Sequence, residues 1–250
     1  MTNWRCPPFR PPSKDDESIA FKLYSDLSHE RGLANDPIES AGLELRAVLR
    51  FLHSGADRAG ADNDYWRRKC RAVLLRPAIE PIAYTYWHRL SSFEIDALSA
   101  LRVASALAGS PLVYRKGSAI GKSANGDVHF PPLDDQGIWL ARIRLAACDP
   151  DLAYVLPALV FAQAVLTHPF SDGNGRFARL MVHIALGRCA GLDGPKIALA
   201  PAFYLRAESL GTALATVSDH GDWSAFYQAF FSTLSLALAA TREVRRHCRG

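Results

Sequence analysis

The sequence predicts an all-α protein that carries one small β-hairpin. Apolar residues recur at helical spacing through most of the chain. Phe177, Leu180, Met181, Ile184 and Ala185, for example, form one stripe along a helix. Residues 112–130 break that rhythm with Gly117, Gly121, Gly126 and the Asn125-Gly126 pair, a hairpin turn signal. Repeats and low-complexity linkers are absent from the sequence.

The elements follow in order. Four prolines in the first dozen residues predict an irregular arm. Ser13 to Gly32 carries Ile19, Phe21, Leu23, Tyr24 and Leu27 among charges and reads as a short helix. Asp36-Pro37 fits an N-cap and first-turn proline, opening a helix that stops near Gly55. Helical patterns continue over 62–74, 79–90 and 93–107, the last opening with Ser92 before Phe93-Glu94. The hairpin ends at Pro131-Pro132, and helices resume at 134–147 and on the approach to His168, where Pro157 either starts or kinks the helix. Gly187 and Gly191 mark the end of the striped helix after the loop, and helices over 202–217 and 222–245 complete the chain. The expected organisation is an arm and short helix (1–35), a helical region packed on the core (36–104), and a core with C-terminal helices (105–250).

Composition narrows the function. The chain has 250 residues, 49% of them hydrophobic, enough for a sizeable core. A net charge of +4 is mild, and the runs Arg67-Arg68-Lys69-Arg71 and Arg242-Arg245-Arg246-Arg249 read as solvated helix faces, so no nucleic-acid partner is expected. Five cysteines, an odd number without metal-ligand spacing, fit reduced thiols. No signal-type segment begins the sequence, and no apolar run approaches the roughly 20 residues of a membrane span. The expectation is a cytoplasmic protein with no membrane partner; export to a host cell without a cleavable signal is compatible with it.

The chemistry concentrates in residues 168–179, which run from helix through a glycine-rich loop into helix. Gly173 and Gly175 let the backbone approach a ligand closely. The next helix offers unpaired N–H groups and the positive end of its dipole, a cradle for phosphate. Arg176 and Arg179, three apart, share a face and present guanidinium forks suited to phosphate oxygens. Asp172 is a hard carboxylate of the kind that holds Mg²⁺ with phosphate oxygens. His168, with an ordinary pKa near neutrality, suits a general base. Phe170 is expected to pin the loop to the core. Taken singly, each residue has a structural explanation; it is their order within twelve positions that points to catalysis.

The segment resembles the Fic family signature HxFx(D/E)GNGRxxR at every specified position. The resemblance implies a Fic-type helical bundle with a hairpin flap over the active site. It implies that His168 activates a target hydroxyl and Asp172 binds Mg²⁺. Asn174 and the backbone of Gly173 and Gly175 would hold phosphates, and Arg176 and Arg179 would reach the terminal ones. His129-Phe130-Pro131-Pro132 resembles the end of the flap, where Val128, His129 and Phe130 would dock a target by strand addition. Arg115 also sits where relatives often carry Arg. Gly221-Asp222-Trp223 resembles the start of the C-terminal helices, so the likeness spans roughly 105–240. A related kinase branch carries Lys where this chain has Gly175, which favours nucleotidyl transfer over phosphorylation.

The implied activity is Mg²⁺-dependent transfer of AMP from ATP to a Ser, Thr or Tyr hydroxyl of a target protein. UTP, GTP or CDP-choline are alternative donors, and a nucleotide- or partner-binding module without turnover is the alternative of another class. Relatives often carry an inhibitory helix, (S/T)xxxE(G/N). Ser40 and Glu44 match its spacing, but Leu45 stands in the last position. The alternatives are an antitoxin-like partner supplying the glutamate, or no brake. Gly117 to Ser123 looks like a P-loop, yet it has one intervening residue too few and leads into a turn instead of a helix.

Overall fold

The computed structural model describes residues 2–29, 93–123, 126–133, 136–191, 197 and 199–248. The helices expected over 36–55, 62–74 and 79–90, with Ser40 and Glu44, lie outside the described residues. What is described is helical around one small sheet, as the sequence predicts.

Helix α1 (Lys14–Ser28) begins where Ser13 and Asp16 form a capping box and three acidic residues complement the helix dipole. Helix α2 (Ala97–Ala108) starts at Asp96, whose carboxylate accepts the Ser99 N–H, and not at Ser92. Phe93, at φ 58°, is a buried residue ahead of the helix. Gly109 ends α2 in the left-handed conformation.

The hairpin consists of β2 (Ala119–Ser123) and β3 (Gly126–Phe130), which pair antiparallel. The arm departs from expectation. Thr2–Asn3 form a strand, β1, parallel to β3, so the sheet order is β1-β3-β2. A two-residue strand has no periodicity of its own and exists only through its partner.

Helix α3 (Ile138–Cys148) is followed by a 3₁₀ turn over Pro150–Val155 and by α4 (Leu156–Thr167). Pro157 lies in the first turn of α4, so it starts the helix and does not kink it. Pro150–Thr167 is long and apolar enough to pass for a membrane span, contrary to the sequence expectation, but 67% of it is buried inside the protein. It is the central helix of the core.

Helix α5 (Asn174–Ala190) packs along α4 and ends at Gly191, with Gly187 inside it. The single helix expected over 202–217 is two, α6 (Leu199–Leu205) and α7 (Ala207–His220), interrupted at Arg206. Helix α8 (Ser224–Cys248) packs on α1, α4, α6 and α7. Phe161 of α4, Phe203 of α6 and Phe230 of α8 meet at centroid distances of 4.7–5.7 Å, closing the core beneath the site.

Candidate active site

The loop between α4 and α5 is fixed from three sides. His168 ends α4 in the left-handed region (φ 49°, ψ 57°), its N–H donating to the Ala164 carbonyl. Phe170 is fully buried against Tyr114, Trp139 and Phe177, the anchoring role expected of it. Residues 113–115 run alongside: the Arg115 N–H donates to the Pro169 carbonyl at 2.9 Å and the Ser171 N–H to that of Val113 at 3.0 Å. Asn174 closes the turn. Its Oδ1 accepts the Phe170 N–H and its Nδ2 donates to the Phe170 carbonyl, both at 2.9 Å. Both ends of this buried amide are therefore spent on shaping the loop.

Gly173 precedes α5 at φ 75°, a conformation that side-chain-bearing residues rarely adopt. Its N–H donates to Asp172 Oδ1 at 2.6 Å. No side chain caps α5, so its first-turn N–H groups stay on offer to a ligand. The Asp172 side chain is 73% exposed, and its Oδ2 lies 4.0 Å from Arg176. Arg176 also donates to the Leu107 carbonyl at the end of α2.

Arg179 is different. It is 7% exposed, and its Nε has no hydrogen-bond partner among the described residues. The guanidinium lies over the Tyr204 ring, 5.5 Å from its centroid. A Cβ on Gly175 would sit 3.5 Å from its Nη1, so the missing side chain leaves the cation open. These residues border a cavity of about 400 Å³, lined by His168, Asn174, Gly175 and Arg179 on one side. Trp4, Val128, Phe130 and Tyr204 are among those lining the rest. The structure thus brings six of the expected residues to one cavity, the flap's Val128 and Phe130 among them. Asp172, Gly173 and Arg176 lie at the loop beside it.

The flap covers His168 directly. Phe130 stacks on the imidazole at 4.2 Å with 22° between planes. Gly121 opposite makes room, since a Cβ there would come within 2.7 Å of the Phe130 ring. Burial, and then the charge of Arg115, lower the His168 pKa to about 4, partly offset by a hydrogen bond to the Val165 backbone and by Asp172. Its pKa is therefore well below the neutral value expected from sequence, and the imidazole is neutral at pH 7.

Beside Trp4 of the arm, two further side chains contribute to the site without having been expected there. Arg115 is buried and donates to the carbonyls of Thr167, His168, Gly117 and Phe130, clamping loop to flap. Tyr204 reaches the site from α6. Neither lies in the contiguous motif; only the family position of Arg115 hinted at it.

Residues 122–186, from the hairpin through most of α5, match the Fic/DOC family. This chain carries a Fic domain. A crystal structure of a Fic family protein from Desulfovibrio desulfuricans G20 has a similar fold, with TM-score 0.62 at 16% identity, covering 97% of this chain and 78% of that one. No curated protein sequence matches the chain. Fic-domain membership supports transfer of a nucleotidyl or phosphate group to a protein at the family level.

Proposed function

We propose that this protein transfers AMP from ATP onto a Ser, Thr or Tyr hydroxyl of a target protein. One observation carries the reading: the Arg179 guanidinium, buried and with no partner at Nε among the described residues, borders a cavity that His168 also lines. A buried guanidinium with an unsatisfied N–H is costly, and a polyphosphate would supply both the acceptor and the opposite charge. The uncapped N-terminus of α5 adds backbone donors to the same anion.

Neutral His168 accepts the proton of the target hydroxyl as its oxygen bonds to the α-phosphorus. The bond from that phosphorus to the bridging oxygen breaks, and pyrophosphate leaves. Phe130 keeps water from one face of the imidazole. Asp172 is the residue that would hold Mg²⁺, which neutralises charge on the phosphates. Its exposed carboxylate fits a metal shared with phosphate oxygens, and no cluster of three or more His, Cys, Asp or Glu among the described residues offers an all-protein cage.

Gly175 supports nucleotidyl transfer. A lysine there would begin 3.5 Å from Arg179 Nη1 and set a second cation beside the first. Control through Arg179 is part of the proposal: a glutamate, from Glu44 or from an antitoxin-like partner, would pair with it and compete with the nucleotide.

The test is labelling of a cell lysate with α-labelled ATP and Mg²⁺. Wild type or Glu44→Gly should label a protein band, and His168→Ala should not. α-Labelled UTP and GTP, and CDP-choline labelled in its phosphocholine half, run in parallel identify the donor. Nucleotide binding with no labelling by any donor would reject catalysis in favour of a binding module.

A further inference from the structure

The N-terminal arm is clamped over residues 5–10 and carries a short tongue beyond the clamp. The Arg5 N–H donates to Ser218 Oγ at 2.8 Å. Arg142 donates to the carbonyls of Cys6 and Pro7, Trp223 Nε1 to that of Pro8, and the Tyr227 hydroxyl to that of Arg10. These anchors hold the arm against α3, α7 and α8 and leave residues 2–4 to the flap.

There they complete a sheet. Thr2 pairs with Val128 and Asn3 with His129, and the Trp4 N–H donates to the His129 carbonyl at 2.9 Å. β3 is thereby bonded on both sides, because β2 holds its other edge. Trp4 is 6% exposed, meets Phe130 edge-on at 5.9 Å, and lines the cavity with His168 and Arg179. The arm therefore occupies the β3 edge that β2 leaves open and fills part of the site wall with an aromatic ring.

The tongue is held by few contacts. Ladder bonds over so few residues are largely offset by the entropy of ordering them, so the Trp4 ring supplies most of the hold. The clamp keeps the tongue at high effective concentration, so it outcompetes weak free peptides but not a well-matched segment. Strand edges pair with any extended backbone, and selectivity comes from the pockets that alternate side chains enter.

We propose that residues 2–4 are an intramolecular stand-in for the target strand. A target docks by displacing them, presenting an extended segment with a large apolar or aromatic side chain where Trp4 sits. This deepens the transferase reading and rests on it, but its test does not require turnover.

The experiment compares the full chain with Trp4→Pro, which removes the donor to His129 and the ring, and with Trp4→Ala, which removes only the ring. Amide exchange over residues 126–130 should rise at least about tenfold in Trp4→Pro, with exchange in α4 and α5 unchanged. A fluorescent peptide with the sequence of residues 2–8 should bind both variants at least about tenfold more tightly than it binds wild type. The same peptide with alanine at the Trp4 position should not bind. Equal peptide binding by wild type and both variants overturns the proposal. So does exchange that rises equally through α4 and α5, because the arm would then be a structural support. If no variant labels any target yet exchange and peptide binding behave as expected, the transferase reading fails and the displaceable strand stands.

Discussion

At the scale of single residues, the site depends on what is withheld from solvent and what is left unpaired. His168 must be neutral to accept a proton, and a pKa of about 4 keeps it so through the physiological range. Labelling rates limited by this base should therefore be flat from about pH 6 to pH 8 and fall only as pH approaches 4. An acid limb centred near 6.5 would show that the ring is solvated. Replacing Arg115 by methionine removes a charge that lowers this pKa and loosens the flap that buries it. Both changes shift the acid limb of the pH profile upward, which a pH series on the variant measures. Gly175 gives opposite signs for stability and activity. A Cβ there meets Arg179 Nη1 at an ordinary 3.5 Å, and alanine is the better helix former by about 0.5–1 kcal/mol. Gly175→Ala should melt no lower than wild type, yet lose at least about tenfold in labelling by crowding the phosphate site. A drop in melting temperature would contradict this.

At the scale of elements, the loop and the flap form one device. Asn174 holds the loop through both backbone groups of Phe170. Asn174→Ala leaves that buried N–H and carbonyl unsatisfied and should cost about 2–4 kcal/mol in denaturant unfolding. The cradle residues were legible in the sequence because they are contiguous, and glycine, asparagine and arginine each act there through local geometry. The helices were legible wherever periodicity was long, as in α5. Boundaries set by a neighbour were not. Asp96 in place of Ser92 starts α2, and Arg206 divides what reads as one helix. Strand β1 exists only because β3 offers an edge, and Arg115, Trp4 and Tyr204 join the site from segments far apart in sequence. No local pattern could reveal them.

At the scale of the whole molecule, the site and the core share a dependence on pH. His168 is half-buried and His183 buried, with pKa values lowered from 6.5 to about 4 and about 3. For His183 the causes are burial and then the charge of Arg179. The unfolded chain thus binds protons that the folded one excludes. The stability these histidines contribute is fully present above about pH 6.5 and is lost as pH falls toward their folded values. For His168 alone this is up to about 3 kcal/mol. Thermal melts should drop steadily between pH 6.5 and pH 4, and His183→Leu should flatten part of that slope. The larger architecture serves the same site: α4 forms the centre, α5 carries the arginine, α6 brings Tyr204 over it, and the N-terminal arm closes the flap edge.

The central claim is that His168 drives nucleotidyl transfer at the Arg179 cavity. The most direct measurement labels a lysate in parallel with α-labelled and γ-labelled ATP, using wild type, Glu44→Gly and His168→Ala. The account predicts that the α-label enters a protein band with wild type or Glu44→Gly, that the γ-label does not, and that His168→Ala abolishes the signal. Transfer of the γ-label alone, or α-labelling that survives His168→Ala, would contradict it.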